Sequence, residues 1–146
     1  LAIGAMSQST IGFRGTKTAT YTIQPDAALA LCTFDNGKPN AKLNDGVVVG
    51  MYDKGMIPSQ RLINDLKGFT GANGYFGMIG NDSSFIHKTV KGCPTVAAGI
   101  ACGNTGSANE MVAINDIDEL VHTLTDYILH LNNEMITDFG FGEHHV

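Results

Sequence analysis

Five short apolar runs, at residues 1–6, 27–34, 47–50, 75–80 and 93–101, punctuate this chain and are separated by turn formers and by stretches with helix signals. Runs this short and this uninterrupted suit strands covered on both faces. Strands that alternate with helices along a chain are the pattern of a layered α/β sheet, and no other fold class accommodates that order as simply.

The helix signals are specific. Pro58-Ser59-Gln60 opens a segment in which Leu62, Ile63, Leu66 and Phe69 recur at helical spacing, with Gly68 and Gly71 marking its end. The clearest helix is expected over residues 116–131, where Ile117, Leu120, Val121, Leu124, Ile128 and Leu131 form one stripe. Asn115 is placed to cap it, with Asp116 and Glu119 at the positive end of the helix dipole. Gly12 and Gly15 suggest a tight strand-to-helix passage, and that helix ends before Pro25. Asp35-Asn36-Gly37-Lys38-Pro39-Asn40 is a turn cluster, residues 81–84 read as a loop or cap, and 85–89 as a helical turn or two. Residues 1–132 are expected to form one α/β domain, incomplete at its N-terminus, and 133–146 a tail that is either frayed or docked on a neighbour.

Composition narrows the possible roles. A formal net charge of −5 with nine basic residues spread along 146 offers no patch for a phosphate backbone, so nucleic acid is not an expected partner. No apolar run approaches the length of a membrane span. Cys32, Cys93 and Cys102 are odd in number and lack CxxC spacing, which argues against a disulfide framework or zinc knuckle and fits a reducing, cytoplasmic setting.

The stretch Gln8-Ser9-Thr10-Ile11-Gly12-Phe13-Arg14-Gly15 resembles the Gln-Glu-Glu-Val-Gly-Leu-Arg-Gly segment of the tetrahedral, dodecamer-forming metallo-aminopeptidases, the glutamyl or deblocking aminopeptidase family whose members are sometimes labelled endoglucanases. Gly55-Met56-Ile57-Pro58-Ser59-Gln60-Arg61-Leu62, Gly80-Asn81-Asp82-Ser83 and Gly92-Cys93-Pro94-Thr95 are similar to further motifs of that family, in the same order. Residues 100–111, from Ile100 to Met111, run alongside another. The resemblance implies a three-layer α/β/α sandwich with a mixed, mostly parallel sheet, of the metallo-aminopeptidase (phosphorylase/hydrolase-like) type. It also implies a site of two co-catalytic metals. Ser9 and Thr10 stand where the family has its general base and a metal-binding Glu, Cys32 (or Thr33, if the register slips) where it has a metal-binding Asp, and Gly106 where it has a metal-binding His. The family's remaining His and bridging Asp fall upstream of Leu1.

Two metals around a bridging water need carboxylate and imidazole donors with a base nearby. Ser9, Thr10, Cys32 and Gly106 supply none of these, so no catalytic residue, metal ligand or cofactor is expected. The reading is a catalytically inactive homologue serving as a structural or regulatory subunit of a homo-oligomer, or of a hetero-oligomer with related subunits. One alternative is an active aminopeptidase that releases N-terminal residues from peptides with zinc, cobalt or manganese, its ligands supplied upstream. A second is a small-ligand binder that reuses the pocket, with Asn81, Asp82, Cys102 and Glu110 as candidate lining residues. From the residues alone Asp82 reads as a helix cap before Phe85 rather than a pocket residue. Cys32 and Cys102 could converge on a thiolate site or be two buried hydrophobes. Ser9 as a nucleophile would need His87 or His122 as its base. His122 and His130 lie too far apart on one helix to share a metal and should face solvent or a partner; His144 and His145 read as a disordered tip or an expression remnant.

Overall fold

A computed structural model describes residues 1–78 and 80–140 of the chain. Four strands form one mixed sheet in the order β1-β4-β2-β3: β1 (Ala28–Asp35), β2 (Val48–Tyr52), β3 (Asn73–Phe76) and β4 (Thr95–Cys102). β1 runs parallel to β4 and β2 parallel to β3, while β2 and β4 are antiparallel. Every residue of β4 is buried. Such a strand must be apolar or small on both faces, as Thr95-Val96-Ala97-Ala98-Gly99-Ile100-Ala101-Cys102 is. Gly99 is required: a Cβ there would overlap the carbonyl of Cys32 on the neighbouring strand.

Two layers of helix cover the sheet. On one face lie α2 (Gln60–Thr70), α4 (Ile114–His130) and α5 (Asn133–Phe139), and their core joins Val49, Val96 and Ala98 to Leu62, Leu66, Leu124 and Tyr127. On the other face Phe34, Val48, Tyr75 and Ala97 form a second, smaller core. There α3 (Ser83–Ile86) packs on β1 and β4, and α1 (Arg14–Ile23) packs on α3. The three-layer α/β/α expectation holds. Among the described residues no helix is long and apolar enough to cross a membrane.

Several local readings change. Residues 1–6 form no strand; Leu1 and Ile3 are exposed, and the segment makes no ladder hydrogen bonds. An apolar run becomes a strand only where a neighbour pairs with its backbone, which its sequence does not specify. Gly68 lies within α2, and Gly71 ends that helix with φ +67°. β3 begins earlier and stops earlier than residues 75–80 suggest, and Ile79 lies outside the described residues. The stretch read as a tail opens with α5, capped by the Asn132 side chain, which accepts from Met135 N at 3.0 Å. Phe139 is buried in the chain's own core and is therefore no contact for a neighbour; Phe141, His144 and His145 lie outside the described residues.

At the start of α4 the expected Asn115 cap is absent. Ala113 precedes the helix without a side-chain bond, and Asp116 turns inward. Its carboxylate is 1% exposed and accepts from the backbone N–H of Asn44 (2.9 Å) and Gly46 (3.0 Å), fastening α4 to the loop that leads into β2. Replacing Asp116 by Ala leaves both donors without a partner and is expected to cost about 2–4 kcal/mol, whereas Asp118→Ala, on the exposed face, should change stability by less than about 0.5 kcal/mol. Denaturant melts of the two variants against wild type check this; equal midpoints would contradict the role given to Asp116.

Candidate functional site

The cleft nearest the expected site opens on the sheet face carrying the smaller core. Cys32 comes from β1, Tyr52 from the end of β2, and Asp53, Met56 and Asn81 from the adjoining loops, with Ala97 of β4 as the floor. It encloses about 10 Å³, room for roughly one water molecule. A small-metabolite pocket is normally tens of times larger.

Asp53 organises this cleft, and the sequence reading missed it. Its carboxylate accepts from the N–H of its neighbour Lys54 (2.6 Å), of Gly80 (2.5 Å) and of Asn81 (3.0 Å), and from Ser84 Oγ (3.3 Å). Asn81 in turn accepts from Ser83 N at 2.9 Å. The loop from Gly80 to Ser84 is thereby pinned to the end of β2. A carboxylate with this many donors is held as a structural anchor, its acceptor sites committed to the loop. The turn sequence Tyr52-Asp53-Lys54-Gly55 marked an Asp in a turn but gave no sign of its distant partners.

Asp82 stands at the N-cap position of α3, but its side chain makes no capping bond. It accepts instead from Thr16 Oγ1, tying α1 to α3, an arrangement reinforced by the stacking of Phe13 on Phe85 and by Lys17 Nζ 4.1 Å above the Phe85 ring. Of the four candidate lining residues, Asn81 lines the cleft and Asp82 stands just behind it. Cys102 is buried in β4, and Glu110 sits on an exposed loop.

The positions where the resemblance would put the family's base and metal ligands carry no carboxylate or imidazole. Ser9 and Thr10 lie on a single 3₁₀ turn, Ser9–Ile11, with no buried residue. Gly106 occupies an excursion closed at its base by the Gly103–Met111 bridge, and its N–H donates to Glu110 Oε1 at 2.6 Å. Cys32 and Cys102 do not converge. Cys32 pairs with Gly99, and strand alternation sends it to the cleft side while Cys102, three residues beyond Gly99 on β4, points to the opposite face. Burial, followed by the carboxylates of Asp53 and Asp82, pushes the Cys32 thiol up to about 12, so it is a protonated thiol at neutral pH.

Ser9 has no imidazole partner either. His87 Nδ1 lies 2.9 Å from the carbonyl of Ser83 in its own helix, and His122 is exposed on α4, across the sheet. His130 is exposed and stacks on Phe69 with ring centroids 4.9 Å apart. Among the described residues no group of three or more His, Cys, Asp or Glu side chains is placed to hold a metal ion. The donors among the described residues do not fit a two-metal centre.

The M42 glutamyl aminopeptidase family matches residues 1–123. The glutamyl aminopeptidase of Lactococcus lactis subsp. cremoris (strain MG1363) is 28% identical over 94% of this chain and 41% of its own length. Among solved structures, the TET aminopeptidase of the marine sediment archaeon Thaumarchaeota archaeon SCGC AB-539-E09 superposes with a TM-score of 0.83 at 25% identity, over 93% of this chain and 42% of that one. The TET1 peptidase of Pyrococcus horikoshii, which can assemble into a tetrahedron or a large octahedral shell, gives 0.67 at 24% identity over 78% and 36%. This chain thus spans about two-fifths of the length of the relatives it matches.

The raised thiol has a consequence for stability. Folded Cys32 keeps its proton up to about pH 12, whereas the unfolded chain releases it near the ordinary value of 9.0. Between those values the folded state binds more protons, so stability is full below pH 9 and falls as pH rises through that window. Burial raises Tyr75, Cys93 and Tyr127 as well, with the same sign. The denaturation midpoint is expected to drop between pH 9 and 11, and less steeply in Cys32→Ala than in wild type. Identical slopes would show that the thiol is not held protonated by the fold.

Proposed function

The chain belongs to the M42 glutamyl aminopeptidase family, and from that premise we propose that it is a non-catalytic member whose role is in assembly, as a structural or regulatory subunit. The observation that carries this reading is the chemistry at four aligned positions. Hydroxyls at Ser9 and Thr10, a protonated thiol at Cys32 and the bare backbone of Gly106 stand where a base, two carboxylates and an imidazole would be needed. Hydrolysis by a metal-activated water depends on donors that set the acidity of that water and on a base that takes its proton. Loss of such groups costs several orders of magnitude in rate. The small cleft gives no support to a metabolite-binding role.

Assembly is favoured by the company the fold keeps, since the Pyrococcus horikoshii TET1 peptidase, which shares this architecture, can assemble into a tetrahedron or a large octahedral shell. Free thiols at Cys32, Cys93 and Cys102 support a reducing, cytoplasmic setting for this chain.

Turnover of leucyl and glutamyl chromogenic substrates, assayed with added zinc, cobalt or manganese, is expected to remain at the uncatalysed background. Metal-dependent turnover that a chelator abolishes would overturn the non-catalytic reading. Restoring one ligand should not rescue the site, because an imidazole at position 106 would sit on a loop locked by Glu110 with no companion donors and no supporting shell. Calorimetric titration of Gly106→His with zinc is expected to show no tight binding; a submicromolar isotherm would mean that most of a metal site survives.

A further inference from the structure

β1 ends in the turn Asp35-Asn36-Gly37-Lys38, closed by the Lys38 N–H donating to the Asp35 carbonyl at 3.3 Å. Two further hydrogen bonds converge on its Asn-Gly step. The Gly37 N–H donates to Asp35 Oδ1 at 3.1 Å, and the Leu43 N–H donates to Asn36 Oδ1 at 3.0 Å. Only an oxygen can accept from Leu43, so the side-chain carbonyl of Asn36, and not its NH2, faces that donor. The residue after the asparagine has no Cβ, so no side chain screens Asn36 Cγ from the Gly37 nitrogen.

Both bonds bear on one reaction. A backbone nitrogen attacks a carbonyl only as it gives up its proton, and a carboxylate already accepting that N–H is placed to take it. A carbonyl is attacked more readily when a donor is aimed at the oxygen that gathers charge, as the Leu43 N–H is at Asn36 Oδ1. Base, nucleophile, electrophile and oxyanion donor are thus all supplied by residues 35–43. The chain's second Asn-Gly step, Asn73-Gly74, is placed differently. It lies in β3, paired with Val48 and Val49 of β2, and the Asn73 side chain donates to Asp45 Oδ2 at 3.2 Å. Closing a ring there means rotating Asn73 out of the ladder.

We propose that Asn36 is a self-modification site, at which the folded chain converts its own asparagine to aspartate and isoaspartate. The Gly37 nitrogen bonds to Asn36 Cγ while the Asp35 carboxylate takes its proton. The side-chain nitrogen then departs as ammonia, carrying that proton, and leaves a cyclic imide between residues 36 and 37. One water opens the ring: attack at Cγ gives aspartate, and attack at the main-chain carbonyl gives isoaspartate. Either product adds one negative charge to the formal −5 of the chain. Isoaspartate also lengthens the main chain by one methylene, at a residue whose N–H donates to the Cys102 carbonyl at 3.0 Å and whose side chain holds Leu43. The end of the β1–β4 pairing and the loop toward β2 are both registered on Asn36, so the isoaspartate form loosens the two together.

To test this, the intact chain is incubated at neutral pH, folded and in guanidinium chloride, and peptides spanning Asn36 and Asn73 are followed by mass spectrometry with fragmentation that separates aspartate from isoaspartate. Asn36 is expected to convert faster in the folded chain than in the unfolded one, because only folding sets Asp35 and Leu43 on the reacting atoms. Asn73 should do the reverse, since β3 holds it in the ladder. Asp35→Ala should slow the folded reaction at Asn36 at least about tenfold and leave the unfolded rate nearly unchanged. A folded rate equal to or below the unfolded rate would overturn the proposal. So would an Asp35→Ala chain that is folded by circular dichroism and reacts as fast as wild type. The first comparison needs no variant, so it decides the matter even if Asp35→Ala does not fold. Neither readout depends on turnover, metal or oligomeric state, so the site can fail while the non-catalytic reading stands.

Discussion

Because β4 is buried along its whole length, each of its backbone groups must be paired within the sheet and each of its side chains must be small or apolar. Those demands place β1 on one side and β2 on the other, and they leave room at Gly99 for the Cys32 carbonyl. The two helical layers then follow from the alternation of β4, with Val96 and Ala98 facing α2 and α4 while Ala97 faces the smaller core with Phe34 and Tyr75. The same alternation sends Cys32 and Cys102 to opposite faces. Two thiols that look like partners along the sequence are separated by the strand that organises the fold.

The carboxylates near the cleft show what the fold has done with its charge. Asp53 holds the Gly80–Ser84 loop, Asp82 holds Thr16 of α1, and Asp116, on the other face, holds the loop entering β2. Each is committed to hydrogen bonds that fix one segment against another, and such groups stabilise a scaffold. The scaffold of the family persists here through these anchors, independent of the chemistry its relatives perform.

The strands β1, β2 and β4 and the helices α2 and α4 were legible because their signals are local: short apolar runs, Ser59 before a helix, Gly71 after it. What the sequence concealed depends on partners far along the chain. Residues 1–6 have the composition of a strand but no neighbour to pair with among the described residues. Asn132 is an ordinary cap signal, yet α5 counts as part of the fold because Phe139 reaches a core built from residues as distant as Leu62. Asp116 has the sequence context of a dipole-compensating residue at a helix start, and its actual partners, Asn44 and Gly46, lie in another element. The expectation of a degenerate site rests on residue identity alone, since glycine has no side chain to offer wherever it is placed. The smallness of the cleft and the role of Asp53 came only with the fold.

Whether this family member assembles a two-metal centre is decided by elemental analysis of the purified protein. The chain would be equilibrated with excess zinc, cobalt or manganese and desalted before measurement. The donor chemistry at Ser9, Thr10, Cys32 and Gly106 predicts retained metal far below one equivalent per chain. Retention of about two equivalents, released only by a strong chelator, would contradict it.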